Sequence, residues 1–375
     1  MLENFYNNSK NYWKDIDKTI FLSFLLLFIL GIFFSFASTS SLAGEKLNKD
    51  YYFFFSKHLI FSICSIFLMI LISALKLDFL KKTLAPIFII SLGLLFLVLF
   101  LGVEVKGSKR WLDLNFFRFQ PIEFLKPFFI VIIAKILSKE NYTTNNTSYF
   151  FSFLCLILPC VILLNQPDVG QTILLVLSWS AIVFISGIKL IYIFSLFGIS
   201  LSFVAGSLFL FADKFAYVFR RIEVFFDPSK GERIQSSKAL DAIKEGGLTG
   251  QGMGEGTLKF RVPEAHTDYI ISVIAEEFGS LISIFIVFIF LYIAFRVIKF
   301  VLQEDDKFIK ISLSGLISLL VFQTFIHIGV NTSLLPTTGM TLPFLSYGGS
   351  SMLGSAMLAG IILNLTKKKI KNENL

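Results

Sequence analysis

Residues 19–41 read TIFLSFLLLFILGIFFSFASTSS, an uncharged and largely apolar stretch. As one helix it is long enough to cross the roughly 30 Å of hydrocarbon in a bilayer. Further apolar runs follow at 53–76, 82–102, 121–137, 148–164, 169–187, 190–211, 269–298, 308–330 and 349–365, with charges gathered in short islands between them. Over the 375 residues, 55% are hydrophobic and 16% charged, above the roughly 45–50% apolar content of soluble domains. The pattern predicts an all-α polytopic membrane protein of about ten transmembrane helices. Such helices share one interior, so 1–375 reads as a single membrane domain. The small residues at 37–41 could end a secretory signal, but Asp15 and Asp17 flank the run where a signal would carry positive charge.

Lys and Arg crowd the segments that a cytoplasmic N-terminus places inside, including Lys367, Lys368, Lys369 and Lys371, and an even number of spans returns the C-terminus to the same side. The net charge of +8 therefore follows from membrane topology. No basic stripe is interleaved with aromatics, so nucleic acid is excluded as a partner. Two outer segments depart from the bias. One is the loop 103–120, with Lys106, Lys109, Arg110 and Arg118; the other is a long extracytoplasmic loop, 212–268, between the seventh and eighth helices. Positive charge kept outside is suited to an anionic ligand.

Within 212–268, Phe219, Ile222 and Phe226 recur at helical spacing opposite Arg220, Arg221 and Glu223, which predicts an amphipathic helix on the outer membrane surface. A second short helix is expected over 236–245, and the glycines from 246 to 256 read as a flexible turn. That turn is no phosphate loop, because no strand precedes it and no Gly-Lys-Ser follows.

Ionisable residues inside a span are costly and are functional candidates by default. Lys126 and Glu123 lie in the fourth span, Glu276 and Glu277 in the eighth, and Asp268 at that span's outer mouth. Glu123 follows Pro121 at a helix start, where an acid suits the dipole and pairs with Lys126 three residues on. Lys126 is deep enough to need a second carboxylate or a phosphate as well. Glu264, His266 and Asp268 fall in the run Pro263-Glu264-Ala265-His266-Thr267-Asp268; Thr267 or Asp268 could instead cap the helix that follows. His58, His266 and His327 are scattered, and Cys64, Cys155 and Cys160 sit in apolar runs, so neither a zinc site nor a disulfide framework is expected. A serine-hydrolase elbow is missing.

Taken in order, these motifs resemble the SEDS (FtsW/RodA/SpoVE) family. They are Lys109-Arg110-Trp111, then Phe119-Gln120-Pro121-x-Glu123-x-x-Lys126, Gln166-Pro167-Asp168-x-Gly170, and the glycines 246–254. The run ending at Asp268 follows, then Ala275-Glu276-Glu277-x-Gly279 and Leu342-Pro343-x-x-Ser346-Tyr347-Gly348-Gly349-Ser350-Ser351. Gly339-Met340-Thr341-Leu342-Pro343 and the turn at 254–256 favour the division branch, FtsW, over the elongation branch, RodA. Thr338 departs from it, since FtsW-like chains often carry Lys there.

The resemblance implies polymerisation of lipid II, an undecaprenyl-diphosphate-linked substrate, into glycan strands on the outer face of the bacterial cytoplasmic membrane, at the division septum. Asp268 is then the expected catalytic base, with Lys126, Arg110 and Lys109 facing the diphosphate and an ion pair between Lys126 and Asp268. Trp111 is either a sugar platform or part of the interfacial aromatic belt, and Ser346 and Ser350 are expected to line the cavity with Glu123, His266 and Glu264. No cofactor is evident, and a divalent cation stays open. The expected partners are a class B penicillin-binding protein (an FtsI-like transpeptidase) and other divisome proteins. A lipid II flippase is the chief alternative and a scaffold for division partners another, although the charges crowd toward the outer face and no inverted repeat is present.

Overall fold

The computed structural model describes residues 13–38, 52–105, 108–114, 118–138, 147–188, 216–226, 234–257 and 265–367, with scattered positions between 191 and 210. Along the chain run α1 (Lys18–Ser38), α2 (Phe53–Ala74), α3 (Leu77–Leu101), β1 (Val103–Val105), β2 (Ser108–Asp113), β3 (Arg118–Phe119), α4 (Pro121–Leu137), α5 (Thr147–Asn165) and α6 (Val169–Ile185). After these come α7 (Ala216–Phe226), α8 (Ile234–Gly246), α9 (Ile270–Phe278), α10 (Ser280–Gln303), α11 (Lys307–Asn331) and α12 (Gly349–Leu365). Among the described residues, α1, α2, α3, α5, α10 and α11 are long and apolar enough to cross a membrane, and α6 and α12 are shorter apolar helices. The protein is a multi-pass membrane protein. The predicted span 190–211 and Glu264 lie largely or wholly outside the described residues.

The bundle is built around α4 and α12, which are buried on nearly every side, as expected of helices without a polar face. The outer helices bury one stripe and leave the other to lipid. On α2 the exposed side chains Ile60, Ile63, Phe67 and Leu71 follow a three-to-four spacing, and α10 turns Leu281, Phe285, Phe288, Tyr292 and Phe295 outward. Small residues let α12 approach its neighbours closely. A methyl group on Gly354 would stand 2.6 Å from the Glu123 carbonyl of α4, and one on Gly360 would stand 2.9 Å from the Met69 carbonyl of α2. Gly354→Ala is therefore expected to cost about 1–3 kcal/mol by overpacking. A lowered thermal midpoint in detergent checks this, and an unchanged midpoint contradicts it.

Polar contacts gather at the two ends of the bundle, as the alternating topology requires. At one end Arg296 pairs with Asp17 at 3.1 Å, Lys81 with Asp306 at 3.8 Å, Lys135 donates to the Lys81 carbonyl, and Asn364 and Lys367 hold the last carbonyls of α2. Burial lowers the Lys367 ammonium from its ordinary value, and the Asp15 charge opposes that shift. At the other end the sheet, the 165–168 turn, the start of α9 and the 332–348 segment are tied together.

Two features depart from the sequence reading. The loop between α3 and α4 is an antiparallel sheet of order β1-β2-β3, pairing Trp111 with Val103, Lys109 with Glu104 and Asp113 with Arg118. The predicted single span 269–298 is two helices broken at Gly279, and the second continues to Gln303. The glycine segment 246–256 is the cause of the break, and it is a fitted plug, not a flexible turn. Gln251 and Gly252 donate to the Glu276 and Glu277 carbonyls, while Ser280 and Leu281 donate back to Gly247 and Leu248. Gly279 holds φ +86, and a methyl there would lie 2.1 Å from the Leu248 carbonyl. Only glycine satisfies both the dihedral and the contact.

Candidate active site

Lys126 sits in the second turn of α4 and is 2% exposed. A lone ammonium at that depth would be prohibitive, and the neighbouring helices neutralise it. Its Nζ lies 2.9 Å from Glu123 Oε2 and donates to Gln323 Oε1 of α11 at 3.0 Å. Gln171 of α6 donates to the other Glu123 oxygen at 2.9 Å, and Gln323 donates to the Thr341 carbonyl. The i,i+3 ion pair read from the sequence is present. The ion pair expected between Lys126 and Asp268 is not formed, because two side chains closer to the ammonium already satisfy it. A cavity of about 10 Å³, lined by Glu123, Lys126, Gln323, Pro343 and Ser355, adjoins the pair, which is room for roughly one water.

Asp268 lies just before α9, at the end of the bundle that carries the sheet, and is half-buried. The N-cap of α9 is Tyr269, one residue beyond the expected Thr267 or Asp268, and it makes no side-chain cap bond. The Asp268 backbone is fixed instead by Asn331, at the end of α11. This fully buried amide donates to the Asp268 carbonyl at 3.0 Å and to the His327 carbonyl at 2.8 Å, and accepts from Ser272 Oγ at 2.7 Å. Facing the carboxylate is Gly339 at φ +74; a methyl there would stand 3.6 Å from Asp268 Oδ2.

The segment 337–346 that carries Gly339 is irregular, and its backbone groups are bound one by one. Arg221 of α7 donates to the Thr337 carbonyl at 3.1 Å. His327 Nδ1 meets the Met340 carbonyl at 2.8 Å, and the Ser346 hydroxyl donates to the Thr267 carbonyl while accepting from the Leu342 amide. Backbone of this kind persists at membrane depth only when protein satisfies it.

The remaining predicted residues divide by use. Arg110 pairs with Asp168 at 3.5 Å and donates to the Pro167 carbonyl at 2.6 Å, so it pins the sheet to the α5–α6 turn. Ser350 accepts from the Gln120 amide and bonds the Arg118 carbonyl, which ties α12 to β3. Ser346 and Ser350, both about 1% exposed, thus hold the walls of the site together. Lys109 is exposed on β2, and Trp111 is half-buried across from Val103. His266 packs its ring on Phe54 of α2 and on Tyr347, whose amide donates to the His266 carbonyl. Burial raises the Tyr347 hydroxyl above its ordinary value. Glu276 and Glu277 are buried beside the glycine plug, with a methyl on Gly256 placed 2.8 Å from the Glu276 carboxyl carbon.

Sequence reading missed Asn331, His327, Gln323 and Arg221. The first three are polar residues four apart on one face of α11, a spacing that could have marked them. Arg221 was visible only as part of an amphipathic helix. Among the described residues no cluster of three or more His, Cys, Asp or Glu occurs, and the three cysteines are free thiols.

Comparison with known proteins gives a consistent result. A family model described as "Cell cycle protein", for FtsW, RodA and SpoVE, matches residues 17–371. The probable peptidoglycan glycosyltransferase FtsW of Caulobacter vibrioides is 34% identical over 359 residues, covering 96% of this chain and 91% of that protein. The FtsW of Geobacter sp. strain M18, given the same description, is 32% identical, covering 94% and 97%. Among solved structures, the rod shape determining protein RodA of Thermus thermophilus superposes with a TM-score of 0.69 at 22% identity, covering 94% of this chain and 96% of that one. A chain from a peptidoglycan synthase complex that coordinates polymerization and crosslinking gives 0.75 at 23%, covering 94% and 97%. With nearly the whole length matched in order, the chain belongs to the FtsW/RodA/SpoVE family of cell cycle proteins.

Proposed function

We propose that this protein is a peptidoglycan glycosyltransferase that polymerises lipid II on the outer face of the bacterial cytoplasmic membrane during division, with both termini cytoplasmic. The observation that carries the reading is Asp268: a half-buried carboxylate at the mouth of the bundle, held through its backbone by Asn331 and faced by the bare α-carbon of Gly339. Its role is to accept the proton of the attacking sugar hydroxyl. The new bond forms from that oxygen to the anomeric carbon, and the bond from that carbon to the lipid diphosphate breaks, the electron pair leaving with the diphosphate. Outer cations such as Lys109 suit that anion. Any divalent cation would arrive on the diphosphate, whose oxygens are hard ligands. Lys126, paired with Glu123, holds α4, α6 and α11 in register beneath the site.

The reading includes a class B penicillin-binding protein as the transpeptidase partner, together with other divisome proteins. It is tested with purified protein and that partner in sealed vesicles, following labelled lipid II for both polymer and transbilayer movement. Muramidase-sensitive polymer is the expected result. Movement across the bilayer with no polymer would overturn the enzyme and favour a flippase.

A further inference from the structure

Lys126, the cation expected from the sequence to pair with Asp268, is engaged with Glu123 and Gln323, and Arg110, expected to face the diphosphate, is engaged with Asp168 and Pro167. A cation that reaches the wall facing Asp268 comes from the amphipathic helix α7. Arg221 is half-buried there, while Arg220, Phe219 and Phe226 are exposed. Its Nη1 donates to the Thr337 carbonyl at 3.1 Å. Two residues further on, Gly339 presents its bare α-carbon to Asp268 Oδ2. The guanidinium is also within electrostatic reach of Tyr269, whose buried hydroxyl feels the Asp268 charge as well.

The bundle side chains binding this segment come from α11 and α12, through Gln323, His327 and Ser351, or from the segment itself; Arg221 reaches it from the surface helix. The fixed fork of a guanidinium holds a carbonyl with less loss of rotamer freedom than an ammonium would incur. We infer that Arg221 is a positioning residue for the reaction: by holding the Thr337 carbonyl it keeps the 337–339 wall against Asp268, so that the seating of α7 on the membrane surface sets the geometry of the base. This rests on the reading of Asp268 as that base. A wall displaced by about an ångström is enough to slow a reaction substantially while leaving remote substrate contacts intact.

The test is steady-state polymerisation of labelled lipid II by the protein with its transpeptidase partner, for wild type, R221A, R221K and D268A. For R221A the expectation is a kcat about tenfold below wild type, KM within about twofold and an unchanged thermal midpoint. R221K, which keeps a donor and a charge, recovers part of the loss. If R221A is recovered aggregated, R221Q carries the test by the same criteria. Wild-type kcat in the neutral variant overturns the inference, as does a loss confined to KM, which would make Arg221 a substrate-binding cation. An active R221A beside an inactive D268A removes only this inference. An active D268A removes the assignment of the base beneath it.

Discussion

Replacing Lys126 with Met is expected to cost the folded protein about 3–5 kcal/mol, because it leaves the Glu123 carboxylate buried in the bundle without its cation. Glu123 is 4% exposed, and its remaining hydrogen-bond donor is the neutral amide of Gln171. Gln323 also loses the donor to its Oε1, so the contact between α4 and α11 loosens. The double change Glu123→Gln with Lys126→Met removes both charges, and it is expected to regain most of the lost stability. Thermal midpoints of the three proteins in one detergent make the check. A single variant as stable as wild type would mean that the pair is solvated and the buried network misassigned.

Asp268→Asn carries the second large effect. The side chain is half-buried at the mouth, and the bond that fixes this position runs from Asn331 to the backbone carbonyl, so the substitution leaves the fold in place. The amide cannot accept the hydroxyl proton. The expected loss in kcat is about 10²–10⁴-fold, the usual contribution of a positioned acid or base. KM should stay within about threefold, since the shape of the site is kept. Initial rates across substrate concentration decide this, and a kcat near wild type would move the base elsewhere.

The bundle was legible because a bilayer imposes its thickness on sequence: the fourth, ninth and tenth runs match α4, α11 and α12 to within a residue at each end. Pro121 marked the start of α4, and the periodicity opposite Arg220 and Arg221 gave α7. Elements fixed by distant partners were not legible. Strands of two to six residues carry too little periodicity, and the pairing of Leu112 with Phe119 exists only once the loop folds back. The break at Gly279 depends on the 246–256 segment, and nothing local distinguishes that glycine from one tolerated inside a span.

The site was legible by residue type and, the Glu123–Lys126 pair apart, not by wiring. Lys126, Glu123 and Asp268 stood out as ionisable groups in or beside apolar runs. The Lys126–Glu123 pair followed from its spacing on α4, but the further partner is decided by the rotation of α4 against α11, and that rotation gave Lys126 to Gln323. Asn331 was overlooked for the converse reason. A neutral amide near the end of an apolar helix draws no attention in sequence, yet here it organises both Asp268 and His327.

The central claim is a lipid-linked glycan polymerase whose base is Asp268. The most direct test is the product formed from labelled lipid II by wild type and by Asp268→Ala, purified alike with the transpeptidase partner and with no other glycosyltransferase present. The account predicts polymer from wild type and none from the variant. Equal polymer from both, or none from an intact wild-type complex, would contradict it.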